Sequence, residues 1–219
     1  MDNSRPFEKY YKEYDNWFIK NKNIFLSELN ALKIVTPKNK KGIGIGVGTG
    51  RFAIPLNIEI GIEPSRKMAN IARSRGLQVF QAVAEKLPFD DEIFDFVLMV
   101  TTICFLEDII KSFQEAYRIL RKNGCIIIAF IDKNSEIGNK YQTKRKKSKF
   151  YRYATFYSEC EVIDFLKMTY FDNFIVKQTV FPCENHEFHH IKNGFDKGSF
   201  VIIKAIKTNQ NGNYKNNSV

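Results

Sequence analysis

One run constrains this chain more than any other: Lys41-Gly42-Ile43-Gly44-Ile45-Gly46-Val47-Gly48-Thr49-Gly50. It reads as an apolar strand that ends in three glycines at alternate positions, Gly46, Gly48 and Gly50. Glycine there allows a sharp turn from strand into helix and lets a ligand come close to the backbone. The run therefore predicts a nucleotide-like ligand at the end of a first strand.

The flanking pattern agrees. Phe7, Tyr10, Tyr11, Tyr14, Trp17 and Phe18 recur at three- and four-residue steps, which predicts a helix with an aromatic face. A second helix runs through Ile24, Phe25, Leu29, Leu32 and Ile34 and stops before Pro37. After the glycine run, strands are expected at 58–62, 77–82, 94–100 and 125–130. Between them lie helices, one capped by Ser65 and another ended by Gly124. Ser158-Glu159-Cys160-Glu161 is a capping box opening a further helix. Two closing strands, 174–181 and 199–206, flank a polar loop of about 16 residues. Alternation of this kind makes a parallel sheet with helices on both faces, and ligands in such sheets sit at the carboxyl ends of the strands.

Length and composition bound the rest. A chain of 219 residues with 44% hydrophobic residues is expected to form one domain over 1–207. It divides into a helical cap (1–40), a ligand-binding core (41–131) and a substrate-side half (132–207). The polar tail 208–219 reads as disordered. No apolar run reaches the roughly 18–20 residues of a membrane span, and the polar N-terminus is no secretory signal, so a soluble, cytoplasmic protein is expected. Four widely spaced cysteines then read as reduced thiols. Cys183, His186, His189 and His190 crowd one loop, but their spacing matches no standard ligand pattern, so no metal is expected. The formal charge of +10 admits a nucleic-acid partner without favouring one. Much of it lies in the acid-free stretch from Lys140 to Lys149, read here as a solvated loop face.

The ligand can be narrowed. Gly50 is followed by Arg51-Phe52, not Gly-Lys-Ser/Thr, which argues against a nucleoside triphosphate. The glycine spacing is also out of phase with the dinucleotide fingerprint. Glu63 stands at the end of the next strand, where a carboxylate can accept hydrogen bonds from both hydroxyls of a ribose.

With these residues in view, the chain resembles the class I S-adenosylmethionine-dependent methyltransferases, in particular the methyltransferase type 11 domain family. Five segments match in order: Ile45 to Gly50, Gly61 to Ser65, Ala84 to Phe89, Phe94 to Val97, and Arg118 to Gly124. The resemblance implies a Rossmann-like, seven-stranded, mostly parallel sheet with helices on both faces and the last strand antiparallel. It also implies S-adenosylmethionine as cofactor, released as S-adenosylhomocysteine. Gly46, Val47, Gly48, Thr49 and Gly50 would pass under its methionine part, and Glu63 with Pro64 would hold its ribose. Ala84 and Glu85 would lie beside the adenine, Thr101 and Thr102 near the methyl group, and Tyr14, with Trp17, would cover the cofactor. Two positions depart from the family. Gly44 stands where an acid is usual, and Val83 where a polar residue bonds the adenine. Each lost hydrogen bond would cost about 1–3 kcal/mol.

The expected activity is methyl transfer to a small-molecule acceptor by in-line displacement, with no side chain declaring itself the general base. Three rivals stand beside it: an RNA- or protein-directed methyltransferase using the 140–149 stretch, a non-catalytic module with weakened cofactor contacts, and a nicotinamide oxidoreductase. The residues after the fourth strand, Val100-Thr101-Thr102-Ile103, lack both the Asn/Asp-Pro-Pro-aromatic signature of base-modifying enzymes and the carboxylates of metal-dependent ones.

Overall fold

The computed structural model describes residues 3–182 and 189–209. Two helices open the chain, α1 (Arg5–Lys20) and α2 (Lys22–Val35). Then follow β1 (Gly42–Ile45), β2 (Ile60–Ile62), α3 (Arg66–Ser74), β3 (Gln78–Phe80) and β4 (Phe94–Val100). The second half holds α4 (Ile109–Ile119), β5 (Leu120–Ile131), α5 (Glu136–Lys144), α6 (Glu159–Met168), β6 (Phe171–Thr179), β7 (Lys192–Asn193) and β8 (Phe200–Lys207).

All eight strands join one sheet in the order β3-β2-β1-β4-β5-β8-β6-β7. The first five pair in parallel, and β8 enters antiparallel between β5 and β6. Among the described residues the sheet thus has eight strands instead of the expected seven. The extra one, β7, is a two-residue pairing of Lys192 and Asn193 against β6, too short to leave a sequence pattern. The strand order reverses between β1 and β4, which places the switch point beside the glycine run.

Period-two alternation decides which face each side chain joins. Along β4, Val97 and Met99 point to the face covered by α4 and α6, with Phe113, Ala116, Val162 and Leu166. Phe96 and Leu98 point to the other face, with Leu29 and Leu32 of α2 and Ala69 and Ala72 of α3. Both faces of β4 are buried, which is why it reads as a continuous apolar run.

Local signals behave as their chemistry demands. Ser65 accepts a hydrogen bond from the Met68 amide, and Gly76 takes φ +95° beyond the end of α3. Both arms of the Ser158–Glu161 capping box are formed. Elsewhere the boundaries differ from expectation. Gly124 lies inside β5, which already begins at Leu120 and shifts register against β4 between Phe94 and Phe96. The basic stretch 140–149 is largely helical, formed by the end of α5 and a short 3-10 turn, Arg145–Lys147. Residues 210–219 of the expected tail, and Cys183 and His186 of the polar loop, lie outside the described residues.

Replacing Ser158 by Ala removes one arm of the capping box. It is expected to cost about 1 kcal/mol and to lower Tm by roughly 2–4 °C in a thermal melt. An unchanged Tm would show that α6 does not depend on its cap.

Candidate functional site

The turn after β1 is built on glycine. Gly46, Gly48 and Gly50 adopt φ of +70°, +56° and +83°, a region L side chains rarely enter. The amides of Gly46 and Val47 both bond the Ile62 carbonyl, which pins the turn to the end of β2. A Cβ on Gly46 would lie 2.5 Å from the Thr102 methyl group, so only glycine fits beneath that side chain. Thr102 is held in turn by hydrogen bonds from its hydroxyl to the Ile45 and Val100 carbonyls, each 3.1 Å. Its neighbour Thr101 takes φ +50°, a strained conformation for a β-branched residue, and costs of order 1–3 kcal/mol.

Glu63 links the turn to α3. One carboxylate oxygen accepts from the Gly48 amide at 2.8 Å and the other from the Ser65 amide at 2.9 Å. The side chain is buried, and that burial pushes its pKa up to about 7 despite the two amide donors.

These groups open into a cavity of about 730 Å³ above the ends of β1, β2 and β4. Of the residues expected at the site, Tyr14, Gly46, Gly48, Glu63, Pro64, Ala84, Glu85, Thr101 and Thr102 line it, as does Trp17. Val47, Thr49 and Gly50 do not. Val47 turns into the sheet and fills the space left by Gly44 and Gly61, where an added Cβ would approach it to 2.5 and 2.7 Å. Thr49 is buried, its hydroxyl donating to Asp15. Gly50 packs on Ile54 and Ala72. Glu85 accepts amide hydrogen bonds from Glu107 and Asp108, so it also anchors the loop that follows β4.

The cavity has a roof. Helix α1 crosses it, carrying Phe7, Tyr14 and Trp17 on the covering face. Two carboxylates latch it down. Glu8 accepts from the Ser65 hydroxyl and the Lys67 amide at the start of α3. Asp15 accepts from Arg51, Arg75 and Thr49 at 2.7–2.9 Å, while Arg75 also bonds the Thr49 carbonyl. Burial alone would raise Asp15, but these donors outweigh it and hold the carboxyl well below its usual range. A third tie, Lys149 to Glu13 at 2.8 Å, anchors the far end of the basic stretch to the same helix.

The aromatic end of the cavity holds residues not expected at the site: Phe18, Glu28, Phe52, Tyr141, Phe150 and Tyr151. Glu28 of α2 is 5% exposed, and burial pushes its pKa up to about 8. Its spacing was the available sign: Glu28 lies four and three residues after Ile24 and Phe25 and four before Leu32, on the apolar face of α2.

Two outcomes test this geometry. Asp15→Ala leaves two arginines without their carboxylate, with an expected cost of about 2–3 kcal/mol and a Tm fall of roughly 4–12 °C. Glu28 is protonated more readily in the folded chain (about 8) than its ordinary value of 4.5. The folded state therefore binds the extra proton between those values, and stability falls as pH rises through that window. Glu28→Gln is expected to melt above wild type beyond about pH 8, with the difference closing towards about pH 5. A variant less stable at high pH would contradict the burial argument.

Comparison with known proteins agrees with the fold and the glycine turn. Residues 43–128 match the family model of the methyltransferase domain. The chain is 47% identical over 202 residues to an uncharacterized protein of Methanocaldococcus jannaschii, covering 92% of this chain and 98% of that one. It is 46% identical to the crystal structure of a SAM-dependent methyltransferase from Thermotoga maritima, described as a possible histamine N-methyltransferase. That match has a TM-score of 0.91 and covers 94% of this chain and 100% of the other. An N-methyltransferase of Haemonchus contortus, in complex with phosphomonomethylethanolamine and S-adenosylhomocysteine, shares the fold at 18% identity. Its TM-score is 0.61 over 83% of this chain and 52% of that one. The sequence motifs, the strand order and these relatives place the chain in the S-adenosylmethionine-dependent methyltransferase family.

Proposed function

We propose that this methyltransferase acts on a small-molecule acceptor, with the cofactor in the cavity beneath α1. The observation that carries the proposal is the aromatic-walled cavity beneath α1, joined to a buried carboxylate at the end of β2. A volume of about 730 Å³ lies within the range, about 300–1,000 Å³, typical of small-molecule sites. The relative from Thermotoga maritima, described as a possible histamine N-methyltransferase, supports the same reading.

The residues present suit the cofactor. Glu63 is aimed at the cavity with acceptor oxygens a ribose diol can use. Gly48 leaves a bare backbone facing Tyr14, where a Cβ would be only 3.2 Å from the phenol oxygen. Ala84 gives a small apolar wall for the adenine, with Val83 beside it. The absent acid at Gly44 belongs to the packing of this chain, because Val47 occupies the space an acid would need.

The bound cofactor supplies a methyl group made electrophilic by its sulfonium. The protein contributes alignment and exclusion of water. Thr101 and Thr102 fix the floor where β4 ends, and the latched α1 closes the top. Methyl transfer places a nucleophile in line with the carbon–sulfur bond, and the cavity beyond Thr102 leaves room for it.

Three measurements test the reading. Glu63→Ala is expected to weaken S-adenosylhomocysteine binding at least about tenfold by calorimetry, the worth of a charge-assisted hydrogen bond. An unchanged Kd would remove the ribose assignment. Hydroxyl donors favour the ionised carboxylate, so affinity in the wild type should fall as pH drops through about 7; Glu63→Gln should flatten that slope. Label from methyl-tritiated cofactor, incubated with cell extract, should enter the low-mass fraction. Label in RNA or protein alone would refute a small acceptor.

A further inference from the structure

Glu28 is left without a task by the cofactor reading. It is 5% exposed, lines the cavity, and makes no hydrogen bond or ion pair among the described residues. An unpaired buried carboxylate is costly and returns nothing to the fold. Its neighbours on α2 do structural work instead: the Ser27 hydroxyl bonds the Asn23 carbonyl and accepts from the His189 amide.

The surroundings of Glu28 are aromatic and neutral. Tyr141 and Tyr151 stack with ring centroids 4.9 Å apart and an interplanar angle of 23°. Both come from the chain that follows β5, the half of the fold that does not build the glycine turn. The titratable groups that feel Glu28 are Tyr14, Tyr141 and Tyr151, all phenols pushed up by burial and so uncharged near neutral pH. No described cation forms an ion pair with Glu28, although Lys20 lines the same cavity. A buried carboxyl group that a bound cation can ionise, with π faces around it, suits a cationic nitrogen. Thiolates, phenolates and carboxylates would meet like charge in a low-dielectric site. An aliphatic hydroxyl would stay protonated, because a carboxylate is far too weak a base for it.

We propose that Glu28 is the acceptor-binding residue and that the acceptor is a small basic amine, held against Tyr141 and Tyr151; this rests on the cofactor reading above. The amine enters as an ammonium ion and gives one proton to the Glu28 carboxylate. Its freed lone pair then forms the nitrogen–carbon bond while the carbon–sulfur bond breaks, the pair staying on sulfur. The sulfonium becomes a thioether and the positive charge passes to the methylated nitrogen. Glu28 returns its proton to solvent as the product leaves. The raised affinity of Glu28 for a proton narrows its gap to an alkyl amine, so the transfer is less uphill than to an ordinary carboxylate.

The test uses the full chain saturated with S-adenosylhomocysteine. Phenethylamine and butylamine are titrated against their alcohol counterparts, 2-phenylethanol and 1-butanol. Wild type should bind at least one amine about thirtyfold or more tighter than its alcohol, with release of a proton at about pH 7.5. Glu28→Gln should lose that preference and the proton release while keeping its Kd for S-adenosylhomocysteine and melting no lower than wild type. Glu28→Asp, shorter but charged, should keep part of the preference and guards against misfolding of the amide variant. Binding of neither amine, an equal preference for alcohols, or an unchanged preference in Glu28→Gln would overturn the proposal. So would a loss of S-adenosylhomocysteine affinity in Glu28→Gln, which would hand this carboxylate to the cofactor's own ammonium group. Wild type that fails to bind S-adenosylhomocysteine would instead remove the cofactor reading itself.

Discussion

The Glu63 carboxylate between the Gly48 and Ser65 amides holds the site together. It joins the turn after β1 to the start of α3, and so fixes the distance between two walls of the cavity. The residue that satisfies two backbone donors also lines the cavity. A buried carboxylate with two amide donors is fixed before the ligand arrives, so little order is left to impose on binding.

Around that link the chain builds a lid by charge. Helix α1 packs its aromatic face downward, but the register of its packing is set by Glu8 and Asp15, which bond opposite ends of α3. Asp15 also reaches Thr49, so a residue of the glycine turn serves the latch and not the cavity. The basic stretch has a similar double use. Lys149 bonds Glu13 on the lid, and Tyr141 within the same stretch lines the cavity.

Much of the fold was legible because its signals are local or periodic. The apolar run at 94–100, the cap at Ser65 and the box at Ser158 each act within a few residues. The glycine turn was legible because positive φ leaves few alternatives. Which residues of that turn line the cavity was not legible: Gly46 and Gly48 do, while Val47 packs into the sheet, Thr49 bonds Asp15 and Gly50 packs on Ile54 and Ala72. What escaped depends on tertiary contact. Asp15 reads as an ordinary polar residue until Arg51 and Arg75, 36 and 60 positions away, meet it. Tyr141 was hidden by the lysines around it, and the two-residue β7 has no pattern to find. Gly44 shows the reverse case: a position that looks deficient by family habit is filled by Val47 from three residues on.

The most direct measurement is a crystal structure of the chain grown with S-adenosylhomocysteine. The account predicts both ribose hydroxyls within hydrogen-bond distance of the Glu63 carboxylate, the sulfur beside Thr102, and the space between sulfur and Glu28 open for an acceptor. Density for the nucleoside elsewhere, or a ribose turned away from Glu63 with α1 still latched, would contradict it.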